Sequence, residues 1–121
     1  MEQVTKIDIV VPCYNVENVI GSCIESLLDQ TIPLKEYHCF FINDYSSDNT
    51  QNVLQKYEST KNITIINQKK NLGLAATRNT GIKKGNSKMV AFLDGDMTVE
   101  KDWLESLLRY FSKNIIAVMG D

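Results

Sequence analysis

Asp94 and Asp96 stand one residue apart, with Gly95 between them, at the end of the apolar stretch "MVAFL". Two carboxylates this close repel each other, so an ordinary turn gains little from holding both. A hard divalent cation reverses that balance. Mg²⁺ typically takes one or two carboxylates and fills the rest of its shell with water and substrate phosphates. The intervening glycine would let the backbone turn and a phosphate approach. The bland alternative is a turn, because Asp-Gly is a common turn dipeptide. The pair alone leaves both readings open, and what else the fold brings to the same place has to decide.

The elements that position the pair follow from patterning. "KIDIVVP" is a short, nearly continuous apolar run ending at Pro12, as expected of a strand buried on both faces. Val19, Ile20, Cys23, Ile24, Leu27 and Leu28 then form a helical stripe. "HCFFIN" is a second strand. "SSDNTQNVLQKYEST" is a second helix, with Asp48 as N-cap and Gln51 placed for a capping box. "ITIIN" is a third strand, "GLAATRNTGIKKG" a helix ending near Gly85, and "KMVAFL" a fourth strand. Trp103, Leu104, Leu107, Leu108 and Phe111 mark a fourth helix, and "IIAVM" a fifth strand. Strand–helix alternation of this kind predicts an α/β fold: a mostly parallel, Rossmann-like sheet with helices on both faces. Ending on a strand, the sheet reads as truncated, one part of something larger.

Ligands of open α/β sheets sit beyond the carboxyl ends of the strands. The first strand is followed by Pro12, Cys13, Tyr14 and Asn15, and the second by Asn43, Asp44 and "YSSD". The third is followed by Asn67 to Asn71, leading to Gly73 and Arg78, and the fourth by Asp94 and Asp96. The topology therefore gathers polar and ionisable groups on one rim.

Four stretches, "IVVPCYNVE", "INDYSSDNT", "NLGLAATRNTGI" and "FLDGDM", resemble the family-2 glycosyltransferases of GT-A fold, in that family's order and spacing across essentially the whole chain. The resemblance implies that residues 1–121 form the nucleotide-sugar-binding half, with the acceptor-binding half absent. It implies a donor that is a nucleoside diphosphate-sugar, UDP-linked, and a glycan or lipid-linked acceptor, as in polysaccharide biosynthesis. Pro12, Tyr14 and Asn15 would shape the base pocket, with the Tyr14 ring stacking on the base. Asp44 would accept a hydrogen bond from the base, and Arg78 would lie near base and diphosphate. Asp94 and Asp96 would be the D-x-D motif, Asp96 binding Mn²⁺ or Mg²⁺ directly and Asp94 contacting ribose or the metal shell. The family's catalytic base lies well beyond that motif, so no catalytic residue is expected before Asp121. The chain alone is expected to bind donor nucleotide and to transfer sugar poorly. One departure is Asn43, where the family often has a further aspartate.

Composition bounds the rest. A length of 121 residues suits one domain, and a formal charge of −2 supplies no field to recruit nucleic acid. No run approaches the roughly 20 apolar residues of a membrane span. Cys13, Cys23 and Cys39 lack C-x-x-C spacing and read as reduced thiols of a cytoplasmic protein. Any contact with the inner face of the membrane would come through parts not in this chain, and an uncovered sheet edge makes a homo-oligomer plausible. Rival readings include a non-catalytic nucleotide-binding or interaction module on the same scaffold, and a dinucleotide oxidoreductase. The second needs G-x-G-x-x-G after the first strand, where "PCYNVE" stands instead.

Overall fold

The computed structural model describes residues 5–111 and 117–119. Strands β1 (Ile7–Cys13), β2 (Tyr37–Asn43), β3 (Ile63–Asn67), β4 (Met89–Phe92) and β5 (Ala117–Met119) form one sheet in the order β3-β2-β1-β4-β5. Every neighbouring pair is parallel. The connections carry helices α1 (Ile20–Leu28), α2 (Thr50–Gln55), α3 (Leu74–Lys84) and α4 (Trp103–Tyr110). The expected α/β sheet with helices on both faces is what the chain forms.

The nearly continuous apolar run of β1 has a direct cause. Ile7, Ile9, Val11 and Cys13 point to the face covered by α1, α2 and α4, where Ile20, Cys23, Ile24, Leu27, Leu54 and Leu104 complete the main core. Val10 points to the other face and packs with Phe40, Ile42 and Phe92. There α3 lies close to the sheet because Gly81 has no side chain. A Cβ at Gly81 would stand 2.5 Å from Val10 Cγ1 and 2.9 Å from Ile42 Cδ1. The end of α3 is tied down by Asp8, whose Oδ2 accepts from Ser87 N at 3.0 Å and whose Oδ1 accepts from Ser87 Oγ at 2.8 Å.

Two local expectations need correction. Val19 is 39% exposed and precedes α1, so the stripe begins at Ile20. The second helix is shorter than its sequence suggests. After Gln55 the hydrogen bonds switch to i→i+3, as in Tyr57 N to Leu54 O (2.9 Å) and Glu58 N to Gln55 O (3.2 Å), which tightens the chain out of α geometry. Its N-cap position is Asn49, and Asp48 instead forms an Asx turn, accepting from Thr50 N at 2.9 Å. Asp48 Oδ2 also accepts from Glu17 N at 3.2 Å, so the carboxylate joins the first two βα loops. Burial raises its pKa, but the bonds from Thr50 and Glu17 outweigh this and hold it below the usual carboxylate value.

From β1 the chain steps outward through β2 to β3. It then crosses back over the sheet through α3 to β4, on the other side of β1. The order reverses between β1 and β4, and a crevice outside their carboxyl ends is where such sheets bind ligands.

Candidate functional site

Parallel register brings the strand ends level. Cys13 pairs with Asn43, and Asn43 with Asn67, so the loops after β1, β2 and β3 leave the sheet side by side. Leu93 N donates to Val10 O at 3.1 Å, so β4 departs one step earlier and its loop folds against the end of β1.

Asp44 is the hub. It is 5% exposed, and its carboxylate is held from the far side of the β3–α3 loop. Oδ1 accepts from Leu72 N at 2.7 Å and from Gln68 Nε2 at 2.8 Å, and Oδ2 accepts from Gly73 N at 3.0 Å. Asn71 Nδ2 donates to the Asp44 main-chain oxygen at 3.1 Å. Gly73 has φ +91°, a conformation that favours glycine, and it turns the loop into α3. Pro12, Cys13, Tyr14, Asp44, Asn71, Gly73, Leu74 and Thr77 enclose an open groove of about 350 Å³. Tyr14 is 52% exposed on its wall, which leaves ring surface free for stacking. Leu74, 52% exposed, supplies further apolar surface.

Asn15 works differently from a pocket-lining residue. Its backbone is left-handed, at φ 52°, and its side-chain oxygen accepts from Ser47 N at 2.9 Å and Asp48 N at 3.3 Å. Asn15 N donates to Ser46 Oγ at 3.0 Å. These bonds fasten the β1 loop to the β2 loop. Asn43 bridges in the same way, donating to Asn67 Oδ1 at 2.9 Å and accepting from Ser46 Oγ at 2.6 Å. The uncharged amide at Asn43 is therefore a tie between loops. Tyr45, at φ 58° and 59% exposed, stands on the rim.

Asp94 to Met97 form a turn closed by Met97 N donating to Asp94 O at 3.0 Å. Gly95 is buried in this turn while Asp94 and Asp96 are exposed. The glycine is needed on the inner side: a Cβ there would lie 3.2 Å from Ile20 Cδ1, 3.3 Å from Pro12 O and 3.5 Å from Cys13 Sγ. Hence the acidic turn abuts the same Pro12–Cys13 segment that walls the groove. Neither carboxylate accepts a hydrogen bond or forms an ion pair among the described residues. Burial, and next the negative charge of Asp96, push the Cys23 thiol up to about 12. Burial also raises Cys13, and all three cysteines are buried and free, with no thiolate for nucleophilic work.

The donor set fits one class of metal. Among the described residues no group of three or more His, Cys, Asp or Glu side chains could cage an ion. Two exposed carboxylates without partners suit Mg²⁺ or Mn²⁺ carrying phosphate and water ligands, rather than a closed zinc or calcium site. Arg78 comes from α3 to the end of β4, its guanidinium 5.4 Å from the Phe92 ring centroid. Its Nε is buried without a hydrogen-bond partner, and it makes no ion pair among the described residues. Pro12, Tyr14 and Asp44 thus share one groove, the turn that carries Asp94 and Asp96 abuts its Pro12–Cys13 wall through Gly95, and Arg78 stands beside the end of β4. Lys69 and Lys70 are exposed loop residues. His38 lies on β2 five residues before its end, bonded to Thr64 Oγ1 at 2.7 Å, and burial lowers its pKa.

A family model for glycosyl transferase family 2 matches residues 8–121. The chain belongs to this family. The Streptococcus pneumoniae serotype 4 protein "Glycosyltransferase GlyA" is 33% identical to the chain, covering 86% of this chain and 15% of its own length. A Bacillus spizizenii poly(ribitol-phosphate) beta-glucosyltransferase is 34% identical, covering 88% of this chain and 17% of its own. The crystal structure of S. aureus TarS 1-349 in complex with UDP-GlcNAc superposes with a TM-score of 0.83 at 27% identity. It covers 90% of this chain and 32% of that one. The chain therefore has the GT-A-like α/β fold and spans less than half the length of these relatives. No helix among the described residues is long and apolar enough to cross a membrane.

The site list read from sequence omitted Gln68, Asn71, Gly73 and Thr77. The signal was present in "NQKKNLGLAATRNTGI". Only the fold shows that this loop arches back over Asp44.

Proposed function

We propose that residues 1–121 form the donor-binding part of a family-2 glycosyltransferase that uses a UDP-linked sugar and a divalent cation. The observation that carries this reading is the convergence of three loops at one strand edge. A half-exposed tyrosine and a buried aspartate share a groove, and a turn bearing two carboxylates without partners among the described residues packs against its wall. The family's structural neighbour crystallised with UDP-GlcNAc supports a nucleotide-sugar ligand.

In this reading the Tyr14 ring stacks on the base, and Asp44 Oδ2, which accepts one hydrogen bond among the described residues, accepts another from the base. Binding energy at the base holds the reacting sugar carbon in place for attack by an acceptor hydroxyl, with inversion. Asp96, supported by Asp94, holds Mn²⁺ or Mg²⁺. When bound, such a cation stabilises the negative charge that grows on the departing diphosphate. Arg78 contributes a fixed positive charge on the side facing α3. The group that deprotonates the acceptor is not assigned to any residue here, so residues 1–121 alone bind donor and turn it over poorly.

The direct test is crystallographic. Crystals soaked with UDP and Mn²⁺ are expected to show the base against Tyr14 and metal density between Asp96 and the diphosphate. Nucleotide density elsewhere on the molecule, or a diphosphate without metal at Asp96, contradicts the proposal.

A further inference from the structure

The loop that closes over Asp44 is itself held by a chain of side-chain bonds. Gln68 follows β3 directly, and its backbone N–H extends the ladder to Asn43 O at 2.9 Å. Its side chain then turns toward α3. Thr77 and Thr80 are three residues apart, so one face of α3 offers both hydroxyls. Gln68 Nε2 donates to Thr77 Oγ1 at 3.0 Å, and Thr80 Oγ1 donates to Gln68 Oε1 at 2.7 Å. Thr77, fully buried, donates to Gly73 O at 2.7 Å. The second proton of the Gln68 amide goes to Asp44 Oδ1 at 2.8 Å. The amide orientation is fixed from both ends: a flip would set Oε1 against a carboxylate oxygen.

The consequence falls on the carboxylate. Among the described residues, Oδ1 already receives Leu72 N and Gln68 Nε2, whereas Oδ2 receives only Gly73 N. The spare acceptor capacity of Asp44 is thus concentrated on one oxygen of a residue lining the groove. Such an acceptor matches a ring N–H, as uracil has at N3. It opposes cytosine, whose N3 is itself an acceptor, because two acceptors facing each other without a proton repel.

We propose that Gln68, clamped by Thr77 and Thr80, is a positioning residue for base selection, holding Asp44 so that Oδ2 reads the ring N–H of uracil. The inference rests on the donor-site reading above and adds a specificity determinant outside the groove lining. Without the Gln68 amide, Asp44 Oδ1 keeps only the Leu72 N–H and the carboxylate gains freedom to turn. Discrimination between bases then weakens more than affinity for the rest of the nucleotide.

The test compares UDP and CDP binding, with Mn²⁺ present, for wild type, Gln68→Leu and Thr80→Val, together with the melting temperature of each. Wild type is expected to prefer UDP. Gln68→Leu is expected to reduce that preference about tenfold, roughly 1.4 kcal/mol, and Thr80→Val to reduce it by a smaller factor in the same direction. A merely structural role for Gln68 would lower the melting temperature and weaken UDP and CDP by one common factor. An unchanged UDP-to-CDP ratio therefore overturns the proposal. If Gln68→Leu does not fold, the ratio in Thr80→Val decides, on the same criterion. Should the wild type bind neither nucleotide, or both alike, the donor-site reading fails and this one with it. Wild-type preference with no change in the variants defeats this one alone.

Discussion

Asp44→Asn and Asp96→Asn make the same chemical change at two aspartates of one rim, and the structure predicts very different consequences for stability. At Asp44 an amide nitrogen must replace one carboxylate oxygen. At the Oδ1 position it would face both Leu72 N, 2.7 Å away, and Gln68 Nε2, 2.8 Å away. At the Oδ2 position it would face only Gly73 N, at 3.0 Å. The second orientation is less costly and sacrifices one hydrogen bond to a charged acceptor, worth about 1.5–3 kcal/mol. The bonds remaining on Oδ1 then go to a neutral oxygen and weaken as well. A total loss of about 2–4 kcal/mol follows. At Asp96 the carboxylate is exposed and has no partner among the described residues, so Asp96→Asn relieves repulsion from Asp94 and changes stability by less than about 0.5 kcal/mol. Urea unfolding followed by fluorescence of Trp103, the single tryptophan, measures both variants, and a shifted midpoint at constant slope isolates stability. An Asp44→Asn variant as stable as wild type would refute the view that this carboxylate organises the β3–α3 loop.

Other consequences are open to similar measurement. Gly95→Ala forces a Cβ to within 3.3 Å of the Pro12 carbonyl, which cannot yield as the end of Ile20 can, so the acidic turn moves outward by a few tenths of an ångström. A loss of about 1–3 kcal/mol is expected in denaturant unfolding. UDP affinity in Mn²⁺ should fall more than affinity without metal; equal falls would place the turn outside the metal site. Asp48, whose folded-state pKa lies below the usual carboxylate value, contributes stability that is present above that value and lost as pH falls through the folded one. The stability gap between wild type and Asp48→Asn should therefore shrink from about pH 6 to about pH 3; a gap that is flat or widens on acidification contradicts the hydrogen-bond assignment.

The strand–helix alternation was legible because each strand's pattern reports its own surroundings. The run in β1, broken only by Asp8, follows from having α1 on one side and α3 on the other. The helix α3 is less obvious in isolation: "GLAATRNTGI" has no broad apolar stripe, because it meets the sheet through Gly81 and Thr77 rather than through large side chains. At the site, parallel topology alone was enough to place Pro12, Tyr14, Asp44, Asp94 and Asp96 on one edge. What residue types could not reveal was which polar groups are spent on the protein itself. Asp44 bonds to backbone amides 28 and 29 residues onward, and Asn15 to those 32 and 33 onward. Gly95 is also required by contacts on the protein side, with Ile20, Pro12 and Cys13, which residue type alone did not show. Such long-range ties depend on loop paths, and no local pattern encodes them.

In the proposed function one strand edge holds a nucleoside diphosphate, with a cation joining it to the acidic turn. Isothermal titration of UDP into wild type and Asp96→Ala, each with and without Mn²⁺, tests it most directly. Mn²⁺ is expected to tighten UDP binding to wild type at least tenfold, about 1.4 kcal/mol, and to have little effect on Asp96→Ala. UDP binding that ignores both the metal and the substitution would contradict it.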